Sequence, residues 1–473
     1  MKIILQSFFI LGLLFSVFSA NATLKVASVI GSNMVLQRNS EINIWGTADT
    51  GKKIKISTSW NKKIASTVSN NKGEWLVKIK TTMAGGPYTI TVKMGKEKIQ
   101  LENILLGEVW LCSGQSNMEM PILGFQNQSV NGMSEALLNA DNANIRLFTV
   151  KKAPMPTPQD TCSGEWKVAN VESVGKFSAV GYFYARQLQQ MLQVPVGIIS
   201  SSFGGTPIEA WMSNTDLSKF PESQLRSSKN KNEQSRASYL YNGMIKPITN
   251  YTIKGAIWYQ GEANRARYQE YAELLNAMVA NWRNDFGVGE FPFYYVQIAP
   301  YSYGDSKASI SAHMRDEQLK AMSLIPNSGM VCTLDLGNES RIHPAEKETV
   351  AKRLVGWSLS ETYGFKDLQY KSPTFKSFEV KDSIVTISFN NAEYGITSFD
   401  NDVNCFELAG SDKVFYPAKM SKMINELSKI QVISEKVKDP VAVRYGFSNF
   451  PKTEGYLFST AGLPVPSFRS DNW

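Results

Sequence analysis

Ser116 stands in a turn that closes the apolar run of GEVWLCSGQSNMEMP (residues 107–121), and the chain holds only two histidines, His313 and His343. A serine hydroxyl is a poor nucleophile near neutral pH unless a nearby base takes its proton, and a neutral imidazole titrates in the right range. A histidine-activated serine in this chain therefore has two choices of base. His313 lies in SAHMRDEQLKA, which reads as a helix, where a lone histidine is ordinarily a packing or surface residue. His343 follows an apolar run and directly precedes Pro344, a residue suited to the first position of a helix. That placement at a strand end favours His343, which would take the serine proton and later return it to a leaving alcohol.

A tetrahedral oxyanion needs fixed N–H donors. Besides the backbone of Ser116, the candidates are Gly204 and Gly205, whose missing side chains let the backbone approach a substrate, and the amide of Gln260. Thr206, Pro207 and Glu209 read as N-cap, N1 and N3 of a capping-box helix that follows the two glycines. Each feature alone has an ordinary explanation, Glu262 included, since an acid after a strand is commonly a buried hydrogen-bonding group. Their recurrence at four successive strand ends carries the functional reading.

The elements that must position these groups alternate along the middle of the chain. ILLGEVWLC, VPVGIISSS, IKGAIWYQ, FPFYYVQIA and GMVCTLDLG read as strands, with FSAVGYFYARQLQQML, YQEYAELLNAMVANWRNDF and AEKETVAKRLVGWSLSETYG as helices between or after them. Tyr271, Leu274, Leu275, Met278, Val279, Trp282 and Phe286 recur at helical spacing on one face. Such alternation predicts an α/β fold, a mainly parallel sheet with helices on both faces, whose ligands bind beyond the carboxyl ends of the strands. Four of those ends supply Ser116, the Gly204–Gly205 pair, Gln260 with Glu262, and His343.

Short β-rich runs separated by turn signals flank this middle part. We expect a leader at 1–22, an N-terminal β domain at 23–103, the α/β hydrolase domain at 104–365 and a C-terminal β-rich domain at 366–473, the two β regions being sandwich-like. The leader rests on Lys2, the apolar IILQSFFILGLLFSVF and the small residues Ala20 and Ala22, which read as a cleaved signal peptide and imply export to a periplasm or the exterior. No later run reaches the length of a membrane span. The net charge of +8 is dispersed among lysines without a basic stripe, which argues against nucleic acid as a partner. Cys112, Cys162, Cys332 and Cys405 show no CxxC spacing; two disulfides or four isolated thiols are both compatible with them. Sequons begin at Asn127, Asn250 and Asn338, and a glycan at Asn338 would crowd His343, which favours a bacterial exterior over a eukaryotic secretory route.

Taken together, GQSNMEMP, SSFGGTPIEAWM, WYQGEAN and IHPAEK resemble the sialate O-acetylesterase family of the SGNH hydrolases, a likeness that spans nearly the whole chain after the leader. The resemblance implies a serine esterase that removes acetyl groups from sugars such as sialic acid, with Ser116 as nucleophile, His343 as base, Gly205 or Gly204 and Gln260 in the oxyanion hole, and neither metal nor cofactor. SGNH enzymes commonly carry an aspartate three residues before the histidine, whereas this chain has Ser340 there. The acid of a triad is therefore open, with Asp335 and Glu339 as nearby candidates and a Ser–His dyad as the alternative. Asn117, Asn264, Glu262 and Arg315, the last beside Gln318, are the candidate substrate contacts. Acetylated xylan or another glycan would suit the same chemistry. Two other readings are a non-catalytic glycan-binding protein and a glycosidase pairing Glu262 with Asp335 or Glu339.

Overall fold

The computed structural model describes residues 23–423 and 426–473, so the leader expected over 1–22 lies outside the described residues. The centre of the molecule is a parallel sheet built on one long strand, β1 (Glu97–Gly114). Its partners are β2 (Asn142–Thr149), β3 (Val196–Ser202), β4 (Gly255–Tyr259), β5 (Phe293–Val296) and β6 (Ser328–Val331), in the spatial order β2-β3-β1-β4-β5-β6. All five neighbouring pairs in that order are parallel, and Trp166–Ala169 adds an antiparallel edge beside β2. The chain leaves β1 to one side for β2 and β3, then crosses to the other side for β4 to β6. That reversal falls at the carboxyl end of β1, the place where an open sheet of this kind binds its ligands.

Alternation along the strands sends side chains into two separate cores. Val109, Leu111, Ala256 and Trp258 pack with α2 (Tyr271–Phe286) and α3 (Ile310–Leu324), whereas Trp110, Cys112, Ile257 and Tyr259 pack with α1 (Ala179–Leu192) and α4 (Lys347–Trp357). Both faces are thus covered by helices, as expected for a parallel sheet. The apolar stripe of α2 is buried from Tyr271 to Phe286, and Gly287, in the left-handed conformation at φ +62°, ends the helix. Ser178 begins α1 by accepting from the N–H of Gly181 at 3.0 Å.

The amino-terminal half of β1 belongs to a different neighbourhood. It pairs antiparallel with Gly85–Met94 and parallel with Val35–Gln37, in a sheet that also holds Lys53–Thr58 and Ile64–Val68. Against it lies a three-stranded sheet of Lys25–Val26, Glu41–Thr47 and Glu74–Lys80, and Ile42, Ile44, Val77 and Ile79 meet Ile54, Ile56, Ile90 and Val92 in one core. The boundary expected at 103/104 falls inside β1, so the two regions share a strand. The carboxyl-terminal region is an antiparallel seven-stranded sheet, running from Thr374–Lys381 at one edge to Phe468–Arg469 at the other, with its own core around Val385, Ile387, Leu408, Val432 and Tyr445. Among the described residues no helix is long and apolar enough to cross a membrane.

Candidate active site

β1 ends at Gly114, whose φ of +142° favours glycine and whose Cβ, if present, would stand 2.2 Å from the carbonyl oxygen of Tyr259. The following turn is pinned on both sides: Gln115 donates its N–H to the Tyr259 carbonyl at 3.0 Å, and Phe203 donates to the Gly114 carbonyl at 3.0 Å. Ser116 then opens a single helical turn, Ser116–Glu119, whose first N–H groups have no intrahelical acceptor. Its Oγ lies 2.8 Å from Nε2 of His343.

The other ring nitrogen, Nδ1, lies 2.7 Å from Oε1 of Gln128. An amide oxygen can only accept, so this contact puts the proton on Nδ1 and leaves Nε2 bare toward the serine hydroxyl. Gln128 is held in a tight turn closed by reciprocal backbone hydrogen bonds with Phe125, and the Phe125 ring meets the imidazole edge-on at 5.2 Å. His343 itself does not lead straight into a helix. Contrary to the expectation for Pro344, α4 begins at Lys347 with Glu346 as its N-cap, because the loop before it is held elsewhere: the Ile342 carbonyl accepts from Asn117 at 3.1 Å and the Ala345 carbonyl from Asn131 at 3.0 Å. Burial, and after it the ammonium of Lys347, push the imidazole down to about 4.

Asn117 ties the centre together. Its Nδ2 donates to Glu262 at 2.5 Å as well as to Ile342, and its Oδ1 accepts from the buried Lys347 Nζ at 2.6 Å. Burial raises the Glu262 carboxyl, and burial lowers Lys347 to about 7, each opposed by the other's charge. Asn117 and Glu262 thus brace the segments of Ser116 and His343 from inside.

The two glycines divide. The N–H of Gly204 is taken by Glu119 Oε2 at 2.6 Å, and a Cβ there would lie 3.2 Å from that of Ser116. Gly205, exposed and at φ +72°, has open space around it. Gln260 is not an oxyanion donor: it is fully buried, its Nε2 donating to the Thr206 carbonyl at 3.1 Å and to Asn264 at 2.8 Å while its Oε1 accepts from Tyr271 at 2.9 Å. Asn264 is likewise internal, accepting from the N–H of Ile208 at 2.9 Å and donating to Glu209 at 2.9 Å. These bonds replace the expected capping box. Pro207, not Thr206, precedes the short helix Ile208–Trp211, and Glu209 instead pairs with Arg267 at 2.6 Å.

Neither acid proposed to orient the histidine does so. Asp335 makes a two-pronged contact with Arg353 at 2.8 and 2.6 Å, and Glu339 pairs with Lys452 at 2.8 Å. Arg315 is not a substrate contact either. It is wholly buried in α3, donating to Ser467 Oγ and to the carbonyls of Gly446 and Ser448, and Gln318 spans the carbonyl of Gln260 and the N–H of Ile298. His313 stacks on Tyr268 at 4.8 Å, away from the serine. The four cysteines are unpaired, and no group of three metal-ligating side chains occurs among the described residues. Gln128 and Lys347 went unseen in the sequence. An amide carries no titration signature, and a lysine at the start of a helix reads as solvated.

In overall fold the chain is similar to a carbohydrate acetylesterase from Xanthomonas citri, at 33% identity and a TM-score of 0.86 over 95% of this chain and all of that one; its class is that of the carbohydrate esterases. More narrowly, it belongs to the family described as carbohydrate esterase, sialic acid-specific acetylesterase, whose model matches residues 106–363. It is also similar to the sialate O-acetylesterases of Homo sapiens and Pongo abelii, each 29% identical over 95% of this chain and 93% of the relative.

Proposed function

We propose that this protein is an exported carbohydrate O-acetylesterase that hydrolyses acetyl esters on sugar hydroxyls, sialic acid foremost, through an SGNH-type arrangement with Ser116 as nucleophile and His343 as base. The observation that carries the reading is the 2.8 Å contact between Ser116 Oγ and His343 Nε2. As Oγ attacks the acetyl carbonyl carbon, its proton passes to Nε2, and the carbonyl oxygen becomes an oxyanion. The N–H groups of Ser116 and Gly205 are suited to receive it, each such donor being worth roughly 2.7–4 kcal/mol of barrier. Collapse breaks the bond to the sugar oxygen, which takes the proton from the imidazolium and leaves as the free hydroxyl. Water, deprotonated by the same nitrogen, then attacks the acetyl-enzyme, the bond between Oγ and the acetyl carbon breaks, and Oγ takes the proton back from the imidazolium as acetate leaves.

Gln128 fixes the imidazole tautomer in this scheme. We read the centre as Ser116–His343–Gln128, the amide standing where a carboxylate stands in other triads. The domain division that goes with it assigns the chemistry to the parallel-sheet region and leaves the flanking β regions to support it.

Acetate release from a side-chain O-acetylated sialic acid and from acetylated xylo-oligosaccharides tests the proposal. Ser116→Ala and His343→Ala should abolish turnover, and Gln128→Ala should lower kcat about tenfold to a hundredfold, the worth of one charge-assisted hydrogen bond. Normal acetate release by the Ser116→Ala protein would refute the mechanism.

A further inference from the structure

Among the described residues every arginine but two donates to a protein oxygen, carboxylate or carbonyl. Arg267 shows the rule, bound to Glu209 at 2.6 Å and Glu270 at 3.3 Å. The exceptions are Arg265 and Arg341. Both follow strand ends at the carboxyl edge of the sheet, Arg265 in the 3-10 helix Glu262–Glu270, three residues after Glu262, and Arg341 in a loop, two residues before His343.

Arg265 is half-buried, and its guanidinium lies over the ring of Tyr303 at 3.9 Å from the centroid, so it is held without its charge being neutralised. Tyr303 is itself constrained: it is a non-glycine residue at φ +50°, its hydroxyl is buried without a partner, and its loop is tied to the loop of His343 by the N–H of Ser302 donating to the Glu339 carbonyl at 3.2 Å. Tyr303 feels the charges of both Glu262 and Arg265, and Glu262 is bonded through Asn117 to the residue beside the nucleophile. A fixed, un-neutralised guanidinium in that position is a receptor for an anion, because its planar fork matches a carboxylate in two parallel hydrogen bonds.

We propose that Arg265 reads the carboxylate of an acidic acetylated sugar whose ester lies at Ser116, with Arg341 as an outer, exposed cation drawing the same group in. The inference rests on the acetylesterase reading above and adds to it the residue that separates acidic sugars from neutral ones.

The test compares kcat and KM for acetate release from side-chain O-acetylated sialic acid, from the same molecule with its carboxyl converted to a carboxamide, and from 4-nitrophenyl acetate. The wild-type protein should prefer the acid over the amide. Arg265→Met should lose about tenfold to a hundredfold in kcat/KM on the acid, mainly through KM. It should leave the amide and 4-nitrophenyl acetate unchanged, and Arg265→Lys should restore part of the loss. An equal loss on all three substrates would make Arg265 merely structural and overturn the proposal, as would a wild-type protein indifferent to the carboxylate while cleaving both sugars. A wild-type protein that cleaves 4-nitrophenyl acetate but neither sugar would instead overturn the assignment of a sialic acid substrate, and this inference with it.

Discussion

Gln128 offers His343 an oxygen but no charge, and the chemistry of the site follows from that difference. A carboxylate at Nδ1 would stabilise the imidazolium and raise its affinity for a proton, whereas the amide leaves burial and Lys347 unopposed in holding it near 4. A base must be unprotonated to act, so kcat/KM should stay level from neutral pH downward and fall only as the pH drops through about 4. Lys347, with its own transition near 7, is charged throughout that acid range. Lys347→Met should therefore move the acid limb to higher pH, and a pH–rate profile for acetate release that leaves the limb in place would show that the ammonium does not act on His343. At this scale the meeting of Ser116 with His343 was legible because the chain has only two histidines and one follows a strand. Gln128 was not, since it lies 215 residues from His343 in a loop without a recognisable spacing.

The elements were most legible where periodicity is long. The stripe of α2 announces its buried face, and the strands of the parallel sheet read as apolar runs because they are covered on both sides. Loops were harder. Thr206, Pro207 and Glu209 have the residue types of a capped helix start, but the side chains are drawn off by Phe203, Trp211 and Arg267, and Asn264 caps the turn from another strand end. Tertiary partners overrode a local pattern there, as they did at Pro344. The turn at Gly114 makes the opposite demand on the sequence, since only the absence of a side chain satisfies it. Gly114→Ala should cost roughly 2–4 kcal/mol in denaturant unfolding and lower acetate release with it. Gly205→Ala, strained but facing open space, should cost about 1 kcal/mol.

The whole molecule is joined by buried polar clamps as well as by its cores. Arg315 in α3 grips the carboxyl-terminal region through Ser467, Gly446 and Ser448, and Asn449 reaches back to the Asp305 carbonyl and the N–H of Ser311 at 2.9 Å each. Replacing Arg315 by Met would leave three acceptors without their donor, and we expect a loss of about 3 kcal/mol or more by denaturant unfolding. A change near zero would mean that the terminal sheet is held by apolar contact alone. Composition could not reveal this clamp, because a buried arginine and a substrate-binding arginine look identical in sequence. The same ambiguity hid the join at the other end: Glu102 and Asn103 interrupt the apolar pattern like a linker, yet Asn103 takes up φ +57° within β1 and pairing continues beyond it.

That unbroken strand has a practical corollary. A truncated protein begun at residue 104 would keep the reactive loops but cut through the rod on which Ser116 is mounted, stripping what remains of β1 of its neighbours Gly85–Met94 and Val35–Gln37. Residues 23–103 are therefore no detachable accessory, and a fusion or domain transplant that treats them as one would remove the axle and keep the wheel.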